Sequence, residues 1–454
     1  MKNKNRISLL MMAALLAVSC NTDRTTDLNE AKETTELKKS VSSDTSTPIQ
    51  GQYIVVFKDG TLSAIGLDVS KSTGGNKESY ERNTSVLLDK LRSNAEGLKL
   101  GIDNQKISSV FGYALEGFVA KNLTDADVAL LKKDSRIKSI EQDYLITLGK
   151  PTETTASAEV SKAVTGQETP WGITRIGGAG NGTGKTAWVI DSGIDLDHPD
   201  LIVNTQKSKS FTGDNNPDDG NGHGTHVAGT IAAINNNIGV VGVAAGASVV
   251  SLKVLGNDGS GDFSWVVSAL DYVYANASVS DVVNMSLGPK DPLRLTATDN
   301  ALLKVAQKGI KVAVAAGNSY NNANLYSPAA VNHANIYTIS AVAPGDFWAT
   351  FSNYGTCVDY AAPGYQVKST WLNGAYTTLN GTSMASPHAA GVLLLGNPTS
   401  DGTVKSAYWE YNYGFLTNGT YGKYYTGNYG ATNSYSLADN RYDKDGTNDK
   451  IIHR

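Results

Sequence analysis

Three short segments carry side chains whose types and order suit acyl transfer. Asp191 begins the segment DSG, His223 begins HGTHVAG, and Ser383 lies in GTSMASP. A serine hydroxyl is a poor nucleophile at neutral pH, so a neutral imidazole must take its proton and a carboxylate must hold that imidazole. The segments therefore predict Ser383 as the nucleophile, His223 as the general base and then the general acid, and Asp191 as the carboxylate that fixes the tautomer of the imidazole.

The combination carries more weight than its parts, because Asp191 and Ser383 taken singly are typical turn or cap residues. Together the segments resemble the subtilisin-like serine peptidases, and in particular their proteinase K branch; the chain order Asp, His, Ser is the one known for subtilisin. The resemblance runs from about Trp171 to Leu395. It implies a secreted serine endopeptidase that hydrolyses peptide bonds in proteins through an acyl-enzyme.

Apolar runs precede two of the reactive positions. The run AWVI leads into Asp191, and KVAVAA, residues 311–316, ends just before Asn318. Both are typical of buried parallel strands that carry functional groups at their C-terminal ends. The segment AAGN that ends at Asn318 also resembles the family's oxyanion segment. This implies that the Asn318 side chain and the backbone N–H of Ser383 bind the developing negative oxygen.

The other two reactive residues instead precede apolar stretches that predict helices. These stretches follow His223 at residues 227–234 and Ser383 at residues 389–395. Helix N-termini favour developing negative charge, which suits both positions. With the resemblance, these elements predict an α/β fold class: a three-layer, mainly parallel doubly wound sheet, preceded by a small α+β (ferredoxin-like) domain.

Two glycine-containing segments resemble the family strands that flank an extended peptide substrate. Residues 286–288 and 315–317 would wall the pocket nearest the scissile bond, and neither brings a charge. We therefore expect apolar or aromatic residues before the cleaved bond, with Phe263 near a more distant pocket. Pro289 replaces the family's second glycine and is expected to change the pocket rim. The predicted substrate-binding residues are Gly259, Ser260, Gly261, Phe263, Ser286, Leu287, Gly288, Ala315, Ala316 and Gly317.

Two alternatives belong to other functional classes. The segment AGNGTGKT, residues 179–186, matches the loose phosphate-loop pattern, but such a loop follows a strand and opens a helix. Here a strand-like run follows Lys185, so we expect a surface loop. The second alternative is a catalytically silent cell-surface binding protein on the same fold. The presence of Asp191, His223, Asn318 and Ser383 argues against it.

Other polar residues have structural explanations. His226 and His388 are expected to be packed histidines, since no third zinc ligand is suitably spaced. Asp218 and Asp219, shortly before His223, are equally explained by an exposed polar loop. The formal net charge of −4 without a basic cluster makes nucleic acid an unexpected partner. We expect no catalytic cofactor and a monomer.

The start of the chain indicates export. Lys2, Lys4 and Arg6 precede an apolar stretch, residues 7–18, that is too short to span a bilayer. The following segment AVSC resembles the lipobox of bacterial lipoproteins and predicts lipidation of Cys20; an ordinary secretory signal is the alternative. Several acyl chains would give a stable anchor at the outer membrane or cell surface. Cys357 would then be the remaining thiol, so the mature chain forms no internal disulfide.

Residues 52–143 alternate strand-like and helix-like patterns. They predict a strand at 52–58, a helix at 85–98, two strands within 110–121, a helix at 125–133 and a strand at 137–143. This unit resembles the family's inhibitory propeptide, which makes the propeptide an intramolecular partner of the enzyme. The predicted domains are a signal peptide (1–19), a disordered tether (20–49), the inhibitory propeptide (50–148), a linker with the self-cleavage region (149–168), the catalytic domain (169–398) and a Tyr/Gly/Asn-rich extension (399–454).

The resemblance also implies three finer features. The mature end is expected near residues 163–166, and cleavage there would release the catalytic domain from the lipid anchor. A structural Ca²⁺ is expected at the carbonyls of Ala334 and Ile336 and the carboxylate of Asp359. The helix after Ser383 is expected to break at Gly396, beyond which the extension predicts short strands or a surface-binding ornament.

Overall fold

The structure is a computed structural model that describes residues 46–67, 69, 75–93, 99–148, 161–162, 166–405 and 449–454. All of these residues lie in one unit, Asp44–Arg454. The predicted signal peptide, Cys20 and most of the tether lie outside the described residues. Across the described ranges, every helix is too short or too polar to span a bilayer.

The N-terminal domain has an antiparallel sheet with the strand order β4-β1-β3-β2. Side chains from two helices, among them Leu87 and Leu131, pack on strand residues Phe57 and Phe118 in one apolar cluster. This is the predicted ferredoxin-like arrangement. Its elements are β1 (Pro48–Phe57), α1 (Thr61–Ala64), α2 (Lys77–Arg92), β2 (Ile107–Phe111), β3 (Gly117–Ala120), α3 (Asp125–Leu131) and β4 (Ile137–Thr147).

Helix α2 begins earlier than the prediction of residues 85–98. The side chain of Asn76 accepts the N–H of Ser79 and so caps the helix before the polar run that precedes Ser85. Tyr80 lies in this polar run yet is 5% exposed. The polar residues around it obscure the apolar periodicity on which the prediction rested, and residues 94–98 lie outside the described part.

The remaining elements build the C-terminal domain. Its strands are β5 (Ser161–Lys162), β6 (Gly180–Asn181), β7 (Thr186–Asp191), β8 (Ile202–Val203), β9 (Lys209–Ser210), β10 (Ala244–Ala245), β11 (Ser248–Lys253), β12 (Ser260–Asp262), β13 (Val282–Met285), β14 (Lys311–Ala315), β15 (Ile336–Ala343), β16 (Phe347–Trp348), β17 (Tyr360–Pro363), β18 (Val367–Trp371), β19 (Ala375–Leu379), β20 (Thr399–Thr403) and β21 (Lys450–His453). Its helices are α4 (Trp171–Arg175), α5 (His223–Ala232), α6 (Phe263–Asn276), α7 (Thr296–Gln307) and α8 (Thr382–Leu395).

A mainly parallel sheet in the order β20-β21-β17-β15-β14-β13-β7-β11-β8 forms the middle layer. Alternate residues of β7 face opposite layers, as the period of a strand requires. Ala187 and Val189 lie in the apolar cluster that includes residues of α5 and α8, whereas Trp188 and Ile190 lie in the cluster that includes residues of α6 and α7. The predicted three-layer α/β fold class is therefore confirmed.

The C-terminal end of the chain returns to the central sheet. Helix α8 ends at Leu395, as predicted, and β20 pairs antiparallel with β21. Strand β21 then pairs parallel with β17, with Ile451 opposite Ala361. Both ends of the predicted extension thus belong to the sheet of the catalytic domain, and residues 406–448 between them lie outside the described part.

Candidate active site

Asp191 and His223 meet at the C-terminal edge of the central sheet. Asp191 is the last residue of β7 and is fully buried, while His223 is the first residue of α5. The Asp191 Oδ1 atom lies 2.8 Å from His223 Nδ1 and also accepts the N–H of Ser192 at 2.7 Å. A carboxylate in this position selects the tautomer in which Nδ1 carries the proton and Nε2 is free to accept one.

The electrostatics of this pair favour an imidazolium. Burial opposes the charged form, but the charge of Asp191, its hydrogen bond and the charge of Asp219 together outweigh burial and raise the pKa of His223. A base that holds a proton more strongly than free histidine is suited to take one from a hydroxyl. The neutral form that does so becomes more populated as the pH rises.

Thr382, the residue that precedes Ser383 in the chain, holds the side chain of Asn318. The Asn318 Oδ1 atom accepts the N–H of Thr382 at 2.8 Å and its hydroxyl at 2.9 Å. Because a backbone N–H can only donate, the amide orientation of Asn318 is fixed by this contact. Its Nδ2 group therefore points away from Thr382 and is available as a donor.

The Asn318 amide nitrogen and the Ser383 backbone nitrogen both lie near Gly381. A Cβ atom placed on Gly381 would lie 3.4 Å from Asn318 Nδ2 and 3.5 Å from the backbone nitrogen of Ser383. Gly381 has φ +152°, in the region that favours glycine, so the chain keeps this space open. Both nitrogens belong to groups that can donate a hydrogen bond.

Ser383 itself is half-buried in the first turn of α8. Its hydroxyl donates to the carbonyl of Ser286 at 3.3 Å, and the Ser286 hydroxyl donates in return to the carbonyl of Ser383 at 2.8 Å. Among the described residues no hydrogen bond joins Ser383 to His223. Helices α5 and α8 place the two residues on one side of the sheet, and rotation about the Cα–Cβ bond of Ser383 redirects the hydroxyl.

The N-terminal domain extends along the edge of the C-terminal domain beside this site. Strand β4 pairs antiparallel with β12, so that Thr147 lies opposite Ser260 and Ile146 lies opposite Gly261. The pairing continues where the N–H of Leu148 donates to the carbonyl of Gly259 at 2.9 Å. An extended segment of the chain thus forms main-chain hydrogen bonds with the residues predicted to bind substrate.

The predicted pocket walls lie on neighbouring strands. β13 and β14 are parallel, with Met285 opposite Val314, so residues 286–288 and 315–317 leave the sheet side by side. Leu287 and Ala316 are buried, and no charged side chain belongs to either wall. Phe263 is fully buried as the first residue of α6, in an apolar cluster that also includes Ile146 of the N-terminal domain.

Comparison with known proteins identifies the family of the chain. Residues 182–403 match the subtilase family model, and residues 52–149 match the peptidase inhibitor I9 model. The chain is 35% identical over 362 residues to an extracellular serine proteinase of a Thermus species, covering 76% of this chain and 80% of that protein. The chain belongs to the subtilase family.

Two further relatives also carry the names of serine peptidases. The subtilase is 38% identical over 301 residues to subtilisin NAT of Bacillus subtilis subsp. natto, covering 64% of this chain and 72% of that protein. It is 35% identical over 382 residues to alkaline serine exoprotease A of Vibrio alginolyticus, covering 81% of this chain but only 64% of that protein's length. The N-terminal domain of the subtilase is accordingly an I9 inhibitor domain.

The remaining histidines near the site have structural partners. His226 Nε2 lies 3.0 Å from the carbonyl of Val367, and His388 Nδ1 lies 2.8 Å from that of Met384. Burial lowers the pKa of His226 to about 3 and that of His388 to about 4, so both are neutral. Within the described residues no group of three His, Cys, Asp or Glu side chains is arranged to hold a metal.

Residues 179–186 lead directly into β7 without a helix, unlike a phosphate loop.

One buried acid was misjudged from the sequence. Asp219 was expected in an exposed polar loop, but it is 8% exposed and organises the entry into α5. The local sequence contains only turn residues, so nothing in it distinguishes a buried anchor from an exposed acid. Asp219 accepts hydrogen bonds from the N–H groups of Asn221, Gly222 and Thr225 and from the hydroxyls of Ser192 and Thr225.

Backbone carbonyls suited to a hard cation surround the side chain of Gln167. Its Nε2 lies 2.6 Å from the carbonyl oxygen of Ile234, 3.2 Å from that of Val240 and 3.5 Å from Asn236 Oδ1. The carboxylate of Asp200 accepts from the Asn236 amide at 2.8 Å. Burial raises the pKa of Asp200 to about 6 against its hydrogen bonds. Carbonyl ligands have no side-chain signature, so sequence reasoning missed this cluster.

The residues of the predicted calcium site lie around the start of β15 and the turn before β17. One carboxylate oxygen of Asp359 accepts the N–H of Thr338 at 2.8 Å, and Ala334 is exposed in the turn before β15. Ile336 donates its own N–H to His333.

Proposed function

We propose that the chain is the zymogen of a secreted serine endopeptidase whose catalytic residues are Asp191, His223 and Ser383, with Asn318 in the oxyanion hole. Two halves of an acyl-transfer site support the proposal. One is the buried hydrogen bond between Asp191 and His223, and the other is the position of Asn318 Nδ2 and the backbone nitrogen of Ser383, which both lie near Gly381. Each half supplies what the other lacks for acyl transfer.

The proposed reaction follows from the donors and acceptors. His223 Nε2 removes the proton of the Ser383 hydroxyl as its oxygen attacks the substrate carbonyl, and Asp191 stabilises the imidazolium. The carbonyl oxygen becomes negative and receives the N–H groups of Asn318 and Ser383. His223 then protonates the leaving amine, which departs with the acyl group left on Ser383. Water activated by the same imidazole releases the acid and restores the hydroxyl.

The mode of substrate binding is proposed from the contact of β4 with β12. A protein segment would add as an antiparallel strand to residues 259–261, as the I9 domain does, and thereby gain main-chain hydrogen bonds. The uncharged walls at residues 286–288 and 315–317 favour apolar or aromatic residues before the cleaved bond. Cleavage of a peptide library mainly after Lys or Arg would contradict this preference.

Intact-mass analysis with a fluorophosphonate probe tests the proposed function. Wild type should be shortened by removal of the propeptide and carry one probe, because an activated serine is phosphonylated. Ser383→Ala should remain full length and unlabelled. The predicted mature end near residues 163–166 would be read from the same spectrum.

A negative result has a defined meaning. Wild type that stays full length and unlabelled would be digested mildly to remove the I9 domain and probed again. If it were still unlabelled, the catalytically silent binding protein would replace the peptidase as the better function. If wild type is processed and labelled but Ser383→Ala is labelled as well, the result would instead contradict Ser383 as the nucleophile.

We also propose a structural Ca²⁺, held by the carbonyls of Ile234 and Val240, the side chain of Asn236 and the carboxylate of Asp200. Because the Gln167 Nε2 donor faces these oxygens and cannot bind a cation, the Gln167 amide would have to turn its Oε1 atom toward the ion. Bound Ca²⁺ would then neutralise the buried carboxylate and tie the loop to the start of the catalytic domain. We expect chelation to lower the melting temperature of the processed enzyme and Asp200→Asn to abolish that effect. An unchanged melting temperature would contradict calcium binding.

Lipidation of Cys20 is proposed from the resemblance of the segment AVSC to a lipobox. An anchor at Cys20 would precede the I9 domain, so removal of the propeptide would separate the catalytic domain from the membrane. We expect Ser383→Ala to remain in the membrane fraction and wild-type catalytic domain to leave it. If the double variant with both Cys20→Ala and Ser383→Ala still partitions into the detergent phase, a lipid anchor at this cysteine would be contradicted.

A further inference from the structure

Asn353 lies directly behind the loop that carries Asn318. It is fully buried, and its side chain uses both polar atoms on that loop. Its Nδ2 donates to the carbonyl of Ala316 at 2.9 Å, and its Oδ1 accepts the N–H groups of Ser319 and Asn321, each at 3.0 Å. The side chain thus binds the backbone on both sides of Asn318.

The backbone of Asn353 reinforces these contacts. Its N–H donates to the carbonyl of Gly317 at 2.8 Å, and Gly317 has φ +104°. A Cβ atom on Gly317 would lie 2.4 Å from Asn353 Nδ2, so only glycine allows the amide to approach this closely. Four hydrogen bonds therefore connect one residue to positions 316, 317, 319 and 321, leaving position 318 as the projecting side chain.

Asn353 is itself fixed to the central sheet. The hydroxyl of the preceding residue, Ser352, accepts the N–H of Ala341 in β15 at 3.0 Å and donates to the carbonyl of Asn353 at 3.0 Å. The geometry leaves no choice of amide orientation, since the two N–H groups require an oxygen and the carbonyl of Ala316 requires a donor. Asn353 and Ser352 therefore connect the loop that carries Asn318 to strand β15.

From this arrangement we infer that Asn353 is a positioning residue of the oxyanion hole. It does not approach the reacting atoms; it holds the backbone from which Asn318 reaches them. The inference rests on the proposed function, since it assigns Asn353 a role through Asn318. Asn318 Oδ1 is also tied to Thr382, so the side chain is positioned from two directions, through its backbone by Asn353 and through its amide oxygen by α8.

A double-mutant cycle tests the inference. Asn353→Ala should lower kcat for a peptide substrate by about 10- to 100-fold with KM little changed, because a misplaced donor is lost mainly from the transition state. In an Asn318→Ala background the same substitution should cost less than about threefold. Binding of a peptidyl boronic acid, whose tetrahedral adduct carries an oxygen in the oxyanion position, should weaken in the same pattern.

The control variants separate this role from a structural one. Asn335→Ala removes a comparable amide, whose Nδ2 donates to the carbonyl of Ala306 at 3.0 Å at the far end of the sheet, and should leave kcat within about twofold. Asn353→Asp keeps the acceptor for both N–H groups but places a carboxyl oxygen against the carbonyl of Ala316, so kcat should fall in this variant as well. Variants that process themselves slowly would be matured by immobilised wild-type enzyme.

Three results would overturn the inference. They are an equal loss in the wild-type and Asn318→Ala backgrounds, a change confined to KM, or an unchanged kcat. If Asn353→Ala does not fold, the same cycle is run with Asn353→Asp, which preserves size and two of the three side-chain hydrogen bonds. Ser383→Ala is measured beside these variants: its activity would contradict the proposed function, whereas additivity at Asn353 contradicts the positioning role alone.

Discussion

Replacing Ser383 by Ala should lower kcat by about 10⁶-fold, a magnitude taken from subtilisin. His223→Ala should cost about as much, and the double variant should be no slower than either, because the hydroxyl and the imidazole act as one unit. The activity that remains should still exceed that of water by roughly 10³- to 10⁴-fold, since the oxyanion donors and the binding edge are intact.

The two single variants should differ in stability even though their rates agree. The Ser383 hydroxyl makes one long hydrogen bond, 3.3 Å to Ser286, so Ser383→Ala should melt within a few degrees of wild type. His223→Ala leaves the fully buried Asp191 without its imidazole partner and should melt lower. The measurements are initial rates on a peptide substrate and thermal melts of material processed in trans. A Ser383→Ala rate above about one per cent of wild type would contradict the assignment.

Local patterns sufficed for the framework of the catalytic domain. The run AWVI before Asp191 and the run ending at Ala315 are short, apolar and followed by chemistry, and both form central strands, β7 and β14. The return of the chain at β21 was not predictable in this way. Its pairing partner Ala361 lies far away in sequence, and two isoleucines give no directional signal.

Some residues of the candidate site could be predicted from the sequence and others could not. The side chains proposed to react belong to distinctive segments, so Asp191, His223 and Ser383 could be proposed from their order. Residues that only position others carry no such signature. Asn353 and Asp219 are asparagine and aspartate among turn-forming neighbours, and only their burial and their contacts with loop N–H groups reveal what they do.

Inhibition by the I9 domain should weaken strongly as the pH rises, because its contact with the catalytic domain buries carboxyl groups. Asp271 of α6 accepts the N–H groups of Tyr113 and Ala114, each at 2.7 Å, that of Gly112 at 3.3 Å and the Tyr80 hydroxyl at 3.1 Å. Burial outweighs these hydrogen bonds and raises the pKa of Asp271 to about 6.

Further acids meet at the same contact. Gln52 donates through one Nε2 group to Asp143 and to Asp262, each at 2.7 Å, so a carboxyl group from each domain faces the other across a neutral amide. Glu141 accepts the N–H groups of Thr296 and Ala297 at the start of α7, at 2.7 and 2.8 Å. Burial raises the pKa of Asp143, of Asp262 and of Glu141.

The sign of the pH dependence follows from these raised values. A group whose pKa is higher in the complex than in the separated domains binds its proton more tightly in the complex. Association is therefore strongest below the ordinary carboxyl pKa near 4 and weakens as the pH rises through about 6. For Asp271 alone, a rise from 3.8 to about 6 corresponds to roughly a hundredfold increase in the dissociation constant.

This effect is measured as the release of the I9 domain from self-processed enzyme at a series of pH values between 4 and 8. The appearance of peptidase activity reports the release. Asp271→Asn keeps an oxygen for the N–H groups of Tyr113 and Ala114 but does not ionise, so its profile should be less steep than that of wild type. Asp271→Ala leaves those two groups unpaired and should release the domain faster than Asp271→Asn at every pH. A profile of Asp271→Asn parallel to that of wild type would show that this carboxyl group does not control release. The titration would then have to arise at Glu141 or at the pair that Gln52 bridges, and Asp262→Asn, which removes one member of that pair, distinguishes the two.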